Sequence, residues 1–378
     1  MKKGPRIMLV AGEASGDHHG AGLIRELKKA APDAEIFGLG GEQMRRAGMR
    51  LHLDLAKNSV IGFVEVLKHL GFFRRAFGMA LGLIRNEKPD LLILIDYPGF
   101  NLRLAAAAHK LGNVKICYYI SPQVWAWKAS RIPTMARILD KMLVTFPFER
   151  ELYLKAGLDC DFVGNPLVDQ VKPSQTRAAW RKKLGVAADQ KLVGLLPGSR
   201  EQEIRHLLPV MLEAARKMAT QRKDLKFVLI KAPQLPQELF QGLGTDCQIF
   251  ESEKAGEAYG VRAACDFSFV ASGTATLETA MLKVPFVILY RLNPLTYFVG
   301  KRLVKIHSIG LANVVAGKRI VPEFVQQLDP KVLALEALDF LARPQRGEAQ
   351  VKALAPGLKS LGRPGVSARA AKAALALL

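Results

Sequence analysis

The chain alternates short apolar runs with longer segments whose apolar residues recur every three or four positions. In the first half the runs are "RIMLVAG", "EIFGLGG", "DLLILID", "KICYYIS", "KMLVTF" and "CDFVG". Between them stand "HHGAGLIRELKKAAP", "EQMRRAG", "NLRLAAAAHKLG" and "ERELYLKAG". A short run that is apolar nearly throughout predicts a strand buried on both faces, and the longer segments predict helices. Strands alternating with helices predict parallel α/β units. The segment "KPSQTRAAWRKKLG" (172–185) breaks this rhythm: Lys172-Pro173 reads as a linker, and Ser174 or Thr176 as the cap of a basic helix. The rhythm then restarts with "KLVGLLPGS", a helix from about Glu201, "LKFVLIKAP", "CQIFES", "DFSFVAS" and "PFVILYR". The pattern predicts an α/β protein of two Rossmann-like domains facing a cleft, 1–171 and 172–350. Residues 351–378, ending in "SARAAKAALALL", are expected to form C-terminal helices that pack back across the junction. A length of 378 residues suits two cores.

In open parallel sheets ligands bind beyond the carboxyl ends of the strands, so the strand–turn–helix corners carry the candidate chemistry. The first corner is "VAGEASGDHHGAG" (10–22). Gly12, Ala14, Ser15 and Gly16 are small enough for a ligand to approach the backbone. Glu13 and Asp17 would repel a phosphate, so sugar hydroxyls fit better; the plain alternative is a tight turn with Ser15 and Asp17 as helix caps. The second corner, "LLILIDYPGFN" (91–101), ends an apolar run on Asp96. Pro98 and Gly99 are expected to stop the strand and project Asp96 outward as a general base, unless it only caps the next helix. The third corner is "LLPGSREQEI" (195–204). The amides of Gly198 and Ser199 with Arg200 make an anion site, or else Ser199 and Gln202 form a capping box. The fourth is "VASGTATLETA" (270–280). Ser272-Gly273-Thr274 is a second amide nest, and Glu278 can take two hydrogen bonds from a ribose diol; the alternative is helix capping by Ser272 or Thr274 with a solvated Glu278. Acids in the first half and nests in the second suggest an alcohol on one side and a nucleotide diphosphate on the other.

Charge sharpens the choice of partners. The formal net charge is +21, which favours nucleic acid, an anionic membrane surface or phosphorylated substrates. No zinc spacing, aromatic/basic RNA motif or clustered basic tail supports nucleic acid. No run approaches the roughly 20 apolar residues of a spanning helix, so membrane contact would be peripheral. The stretch "VIGFVEVLKHLGFFRRAFGMALGLIR" (60–85) sets Phe72, Phe73 and Phe77 beside Arg74 and Arg75. Such basic amphipathic stretches lie on membrane surfaces or pack as a helix with a solvated edge. Trp125 and Trp127, near Lys128 and Arg131, can stack on a sugar or fill a core. The four cysteines are far apart, and the seven histidines show no ligand spacing, so neither a disulfide framework nor a metal is expected.

The motifs "VAGEASGD", "ISPQVWAW", "FPFE", "LPGSR", "ASGTATLE" and "KRLVK" occur in this order. Together they closely resemble lipid-A-disaccharide synthase, an inverting glycosyltransferase family of GT-B architecture, from about residue 7 to residue 326. The resemblance implies transfer of 2,3-diacylglucosamine from UDP-2,3-diacylglucosamine to 2,3-diacylglucosamine 1-phosphate. The products are a β-1,6-linked disaccharide 1-phosphate and UDP. It implies no cofactor, and a peripheral place on the cytoplasmic face of the bacterial inner membrane. Asp96 matches the family's proposed base, and Arg200 with the Gly198 and Ser199 amides would face the leaving diphosphate. Glu278 would hold the ribose; Glu13, Ser15, Asn101, Ser272, Gly273, Thr274 and Asn313 would complete the substrate contacts. Three positions depart from the family pattern: Gly99 replaces a second acid, Asn165 replaces a histidine, and "GLANVV" (310–315) lacks the proline before Asn313. A different UDP-sugar enzyme on the same frame, an epimerase or a non-lipid glycosyltransferase, is the alternative.

Overall fold

A computed structural model describes residues 4–56, 70–127, 129–241, 247–291 and 308–378. Contacts divide the chain into two units, Met1–Asp169 with Leu361–Leu378, and Gln170–Ser360. The first holds a seven-stranded parallel sheet: β1 (Arg6–Ala11), β2 (Glu35–Gly40), β3 (Arg50–Asp54), β4 (Leu91–Ile95), β5 (Lys115–Tyr119), β6 (Lys141–Val144) and β7 (Cys160–Phe162). Their order is β3-β2-β1-β4-β5-β6-β7. The apolar runs fold this way because each residue has a core to enter. In β1, Met8 and Val10 enter the core on one face, while Ile7, Leu9 and Ala11 enter the core on the other. In β4, Leu92 and Leu94 join the first core, and Leu91, Ile93 and Ile95 the second. This is the two-residue period of a strand covered on both sides.

Helices supply the two covers. On one face lie Leu70–Glu87, through Ala76, Ala80 and Ile84, and Pro98–Leu111, through Phe100, Leu104, Ala105 and Ala108. On the other lie Ala14–Ala30 and the C-terminal helix Val366–Leu375, which buries Val366, Ala370, Ala371 and Ala374.

The second unit holds β8 (Lys191–Leu196), β9 (Leu225–Lys231), β10 (Gln248–Glu251), β11 (Phe267–Ala271), β12 (Phe286–Tyr290) and β13 (Glu323–Val325). All are parallel, in the order β10-β9-β8-β11-β12-β13. Helix Glu201–Gln221 covers one face with Ile204, Leu207, Leu208 and Met211, joined by Leu333, Ala334 and Ala337 of Pro330–Ala342. In the segment that breaks the rhythm, the cap of helix Arg177–Lys183 is Thr176: its Oγ1 accepts from the Ala179 N–H at 3.3 Å. Two edge strands, β3 and β13, were not evident in the apolar rhythm. Each lies at the border of its sheet, and neither contains a fully buried residue.

Candidate active site

The sheet orders locate the sites. In the first unit the chain leaves β1 for β2 and β3, then returns to place β4 on the opposite side of β1. The gap beyond β1 and β4 is a topological switch point, where the crossovers diverge and leave a crevice. Ala11 and Ile95 end the two strands as register partners. Gly12-Glu13 and Asp96-Tyr97 follow directly. The second unit repeats the arrangement at β8 and β11, which are followed by Pro197–Arg200 and Ser272–Thr274.

Asp96 leaves its strand by an unusual turn. Asp96 and Tyr97 both have left-handed backbone, with φ of 46° and 52°. Pro98 and Gly99 do not make this turn: Pro98 opens the helix Pro98–Leu111, where a missing N–H costs nothing. The main chain of Asp96 is pinned. Its N–H donates to the Tyr119 carbonyl at 3.0 Å. Its own carbonyl accepts from Asn101 Nδ2 at 2.8 Å and from the Tyr118 hydroxyl at 2.5 Å. Asn101 is fully buried and turns the same amide toward the Ile95 and Val10 carbonyls. Its Nδ2 braces the turn, while its buried Oδ1 has no hydrogen-bond partner among the described residues. Burial first, and the charge of Glu13 second, push the Asp96 carboxyl up to about 6 against the stabilising Tyr97 N–H.

Around this carboxylate the other predicted residues sort by exposure. Glu13 is half-buried and Ser15 exposed. Asp17 is buried and caps a different helix, Glu42–Arg46, accepting from the Gln43 and Met44 N–H groups at 3.0 and 2.9 Å. Gly12 gives access to a side chain of the protein itself, because a Cβ there would stand 2.1 Å from the Tyr97 ring. At Gly99 a Cβ would meet nothing within 4 Å, so the missing second acid leaves open space. Asn165 is buried and caps its own turn, its Oδ1 accepting from the Leu167 N–H at 3.1 Å.

A buried polar group of the first unit was missed as a feature, although its motif "FPFE" was visible. Glu149 is fully buried. It accepts from Trp125 Nε1 at 3.0 Å and from the Phe146 N–H at 3.1 Å. Burial lifts its carboxyl to about 7. Trp125 stands edge-on to Phe148, their ring centroids 5.0 Å apart. Lys128 lies outside the described residues, as do 60–69 of the amphipathic stretch and the "KRLVK" motif. Of the remainder, Phe72, Phe73 and Phe77 are half-buried against the core, while Arg74 and Arg75 are exposed.

In the second unit the amides of the third corner already hold an anion. Glu203 Oε2 accepts from the Ser199 and Arg200 N–H groups at 2.9 and 3.2 Å, so the back-capping residue is Glu203 rather than Gln202. Gly198 (φ 115°) lies so close that a Cβ there would stand 2.1 Å from the same oxygen. The Arg200 side chain is 78% exposed and makes a 3.3 Å contact with Glu203. In the fourth corner Ser272 spends its hydroxyl on the Ile309 carbonyl at 3.0 Å. Gly273 (φ 133°) has open surroundings, and Thr274 is exposed. Glu278 is not a solvated surface acid: Tyr259 donates to Oε1 at 3.0 Å, and Arg262 pairs with Oε2. Asn313 is buried with all its bonds internal. Its Oδ1 accepts from Ile320 and Val321 N–H, and its Nδ2 donates to the Val321 carbonyl and to Glu323. The first unit therefore offers a desolvated carboxylate; the second offers an exposed arginine, an open glycine turn and a preset carboxylate.

Comparison with known proteins gives this chemistry a context. A family model described as lipid-A-disaccharide synthetase matches residues 7–377. The lipid-A-disaccharide synthase of Geobacter sulfurreducens is 44% identical over 99% of this chain and 97% of its own. That of Geobacter metallireducens is 42% identical, with the same coverages. Among solved structures, the MnaA–UDP complex of S. aureus superposes with a TM-score of 0.67 at 15% identity, covering 99% of this chain and 98% of its own; at that identity the likeness shows the two-domain α/β fold alone. With a family model spanning both sheets and relatives above two-fifths identity along nearly the whole length, the chain belongs to the lipid-A-disaccharide synthase family.

Proposed function

We propose that the chain transfers 2,3-diacylglucosamine from its UDP-linked form to 2,3-diacylglucosamine 1-phosphate, with Asp96 as the base. The observation that supports this most is the shared position of the candidate groups: carboxylates follow the switch-point strands of the first unit, and cation and amide groups follow those of the second. In this reading Asp96 takes the proton of the acceptor's 6-hydroxyl as its oxygen attacks the anomeric carbon. The C–O bond to the diphosphate breaks on the opposite face, inverting the centre and releasing UDP. A base lifted to about 6 is ionised at neutral pH yet stronger than an ordinary aspartate, which suits the task. Glu13 and Ser15 would hold acceptor hydroxyls.

On the donor side the internal geometry redistributes the roles. Because Glu203 occupies the Ser199 and Arg200 amides, the diphosphate is assigned to the Arg200 guanidinium and the Gly273-Thr274 turn. Charge building on the leaving diphosphate is stabilised by such preset donors. Glu278, held by Tyr259 and Arg262, keeps lone pairs for a ribose diol. The acylated substrates and the exposed Arg74 and Arg75 fit a peripheral place at an anionic membrane surface, the cytoplasmic face of the inner membrane.

The test is direct. Purified protein is mixed with both acylated substrates, and disaccharide 1-phosphate and UDP are sought by mass. Asp96→Asn should lower kcat by about 10²–10⁴-fold and leave UDP binding unchanged by calorimetry. Near-normal turnover in Asp96→Asn would remove Asp96 as the base. Turnover of unacylated UDP-sugars, without the acylated pair, would favour an epimerase or non-lipid transferase.

A further inference from the structure

We propose that Tyr97 is a positioning residue for Asp96: its ring, laid on the glycine surface at Gly12, holds the left-handed turn in one arrangement. The proposal rests on the reading of Asp96 as the base. Two consecutive non-glycine residues in the left-handed region persist only where their surroundings over-determine them. The main chain is fixed by Tyr119, Tyr118 and Asn101. The side-chain half of the lock is the tyrosine. A Cβ on Gly12 would stand 2.1, 2.3 and 2.5 Å from three Tyr97 ring atoms, so the ring lies directly against that backbone. Phe100 follows at 6.0 Å, tilted by 31°, and is itself edge-on to Phe77 at 5.6 Å. Gly12 immediately precedes Glu13. The one contact therefore joins the two corners of the switch point and sets how Glu13 stands to Asp96. Neither position entered the sequence-based site as a contact of this kind.

The charged and titratable groups facing Asp96 are Glu13 on the turn after β1, Tyr97 on its own turn and Tyr118 on β5. Both tyrosine hydroxyls are pushed up by burial and stay neutral near pH 7, which leaves Glu13 and the dryness provided by the ring to govern the carboxyl. Removing the ring admits water, and water favours the ionised form.

The experiment compares Tyr97→Phe, Tyr97→Asn and Gly12→Ala with Asp96→Asn in the full-length protein, using the acylated substrates. Asparagine tolerates left-handed backbone, so Tyr97→Asn deletes the ring without penalising the turn. Tyr97→Phe should keep kcat and its pH profile. Tyr97→Asn and Gly12→Ala should lower kcat by about 10²-fold, the scale of a misplacement near 1 Å, with the donor KM unchanged. In Tyr97→Asn the acid limb of kcat/KM should also move below its position near pH 6. Wild-type kcat and acid limb in Tyr97→Asn, while Asp96→Asn is inactive, would overturn the proposal and leave the base in place. A loss that merely tracks a lower melting temperature, with the acid limb unmoved, would overturn it too. An active Asp96→Asn would overturn the underlying reading of the base, and the proposal with it.

Discussion

Asp96 shows how much a single residue's role depends on its neighbours. Its carboxyl sits near 6 because burial and Glu13 both disfavour the charge. A general base works when ionised, so kcat/KM should rise with pH through about 6 and level off above it. Glu13→Gln removes one of the two lifting causes, and its acid limb should lie at lower pH than that of the wild type. A limb that stays in place would show that Glu13 does not act on Asp96 electrostatically. The opposite lesson comes from Asn313. The resemblance implies a substrate contact, yet four internal hydrogen bonds use its whole amide. Asn313→Ala removes the partner of the Ile320 and Val321 N–H groups and of the Val321 carbonyl, at about 1–3 kcal/mol per unsatisfied group. It should lower the urea midpoint of the second unit while the folded fraction keeps its donor KM. A large KM effect without destabilisation would restore it to the site.

Elements were legible where local pattern decides and obscure where partners are distant. Nine strands, β1, β2, β4 to β6, β8, β9, β11 and β12, coincide with apolar runs because they are central in their parallel sheets and buried on both faces. The edge strands β7 and β10 also coincide with short runs, although most of their residues are not buried. The edge strands β3 and β13 were hidden because "RLHLD" alternates polar with apolar residues and "EFV" is three residues long. The turn after β4 was misplaced onto Pro98-Gly99, since left-handed backbone at Asp96 and Tyr97 has no sequence signature like that of glycine. Two caps were illegible for a different reason: their acceptors are remote in the chain. Asp17 caps the helix beginning at Glu42. Asp169 accepts from the Gly365 and Val366 N–H groups at 2.8 Å, at the start of the last helix and 196 residues away. Asp169→Ala should cost about 1 kcal/mol, the usual worth of a cap. Hydrogen exchange in Val366–Leu375 should speed up accordingly, while exchange in β8 stays unchanged. Uniform acceleration in both units would mean that the cap supports more than its own helix.

At the scale of the whole molecule the sequence supplied the rhythm but not the strand order, and the order is what turns four separate corners into two switch points. Net charge is the other property that belongs to the molecule as a whole. At +21 it draws the protein toward any anionic surface, and among the described residues no helix is long and apolar enough to cross a membrane. The packing decides how surface binding should be probed. Phe72, Phe73 and Phe77 are half-buried against the core, so polar replacements there would damage the fold together with any lipid contact. Arg74 and Arg75 are exposed on the same helix and can be neutralised at little structural cost. Each basic residue near an anionic leaflet contributes about 1 kcal/mol. Arg74→Gln with Arg75→Gln should therefore weaken partitioning onto anionic vesicles by roughly 30-fold, the equivalent of about 2 kcal/mol. Binding of the wild type should fall as salt is raised, because screening shortens the reach of the surface potential. Binding to neutral vesicles should not change with the double substitution. If pelleting with anionic vesicles is the same for both proteins, this helix is not the contact, and the charge responsible lies elsewhere on the molecule.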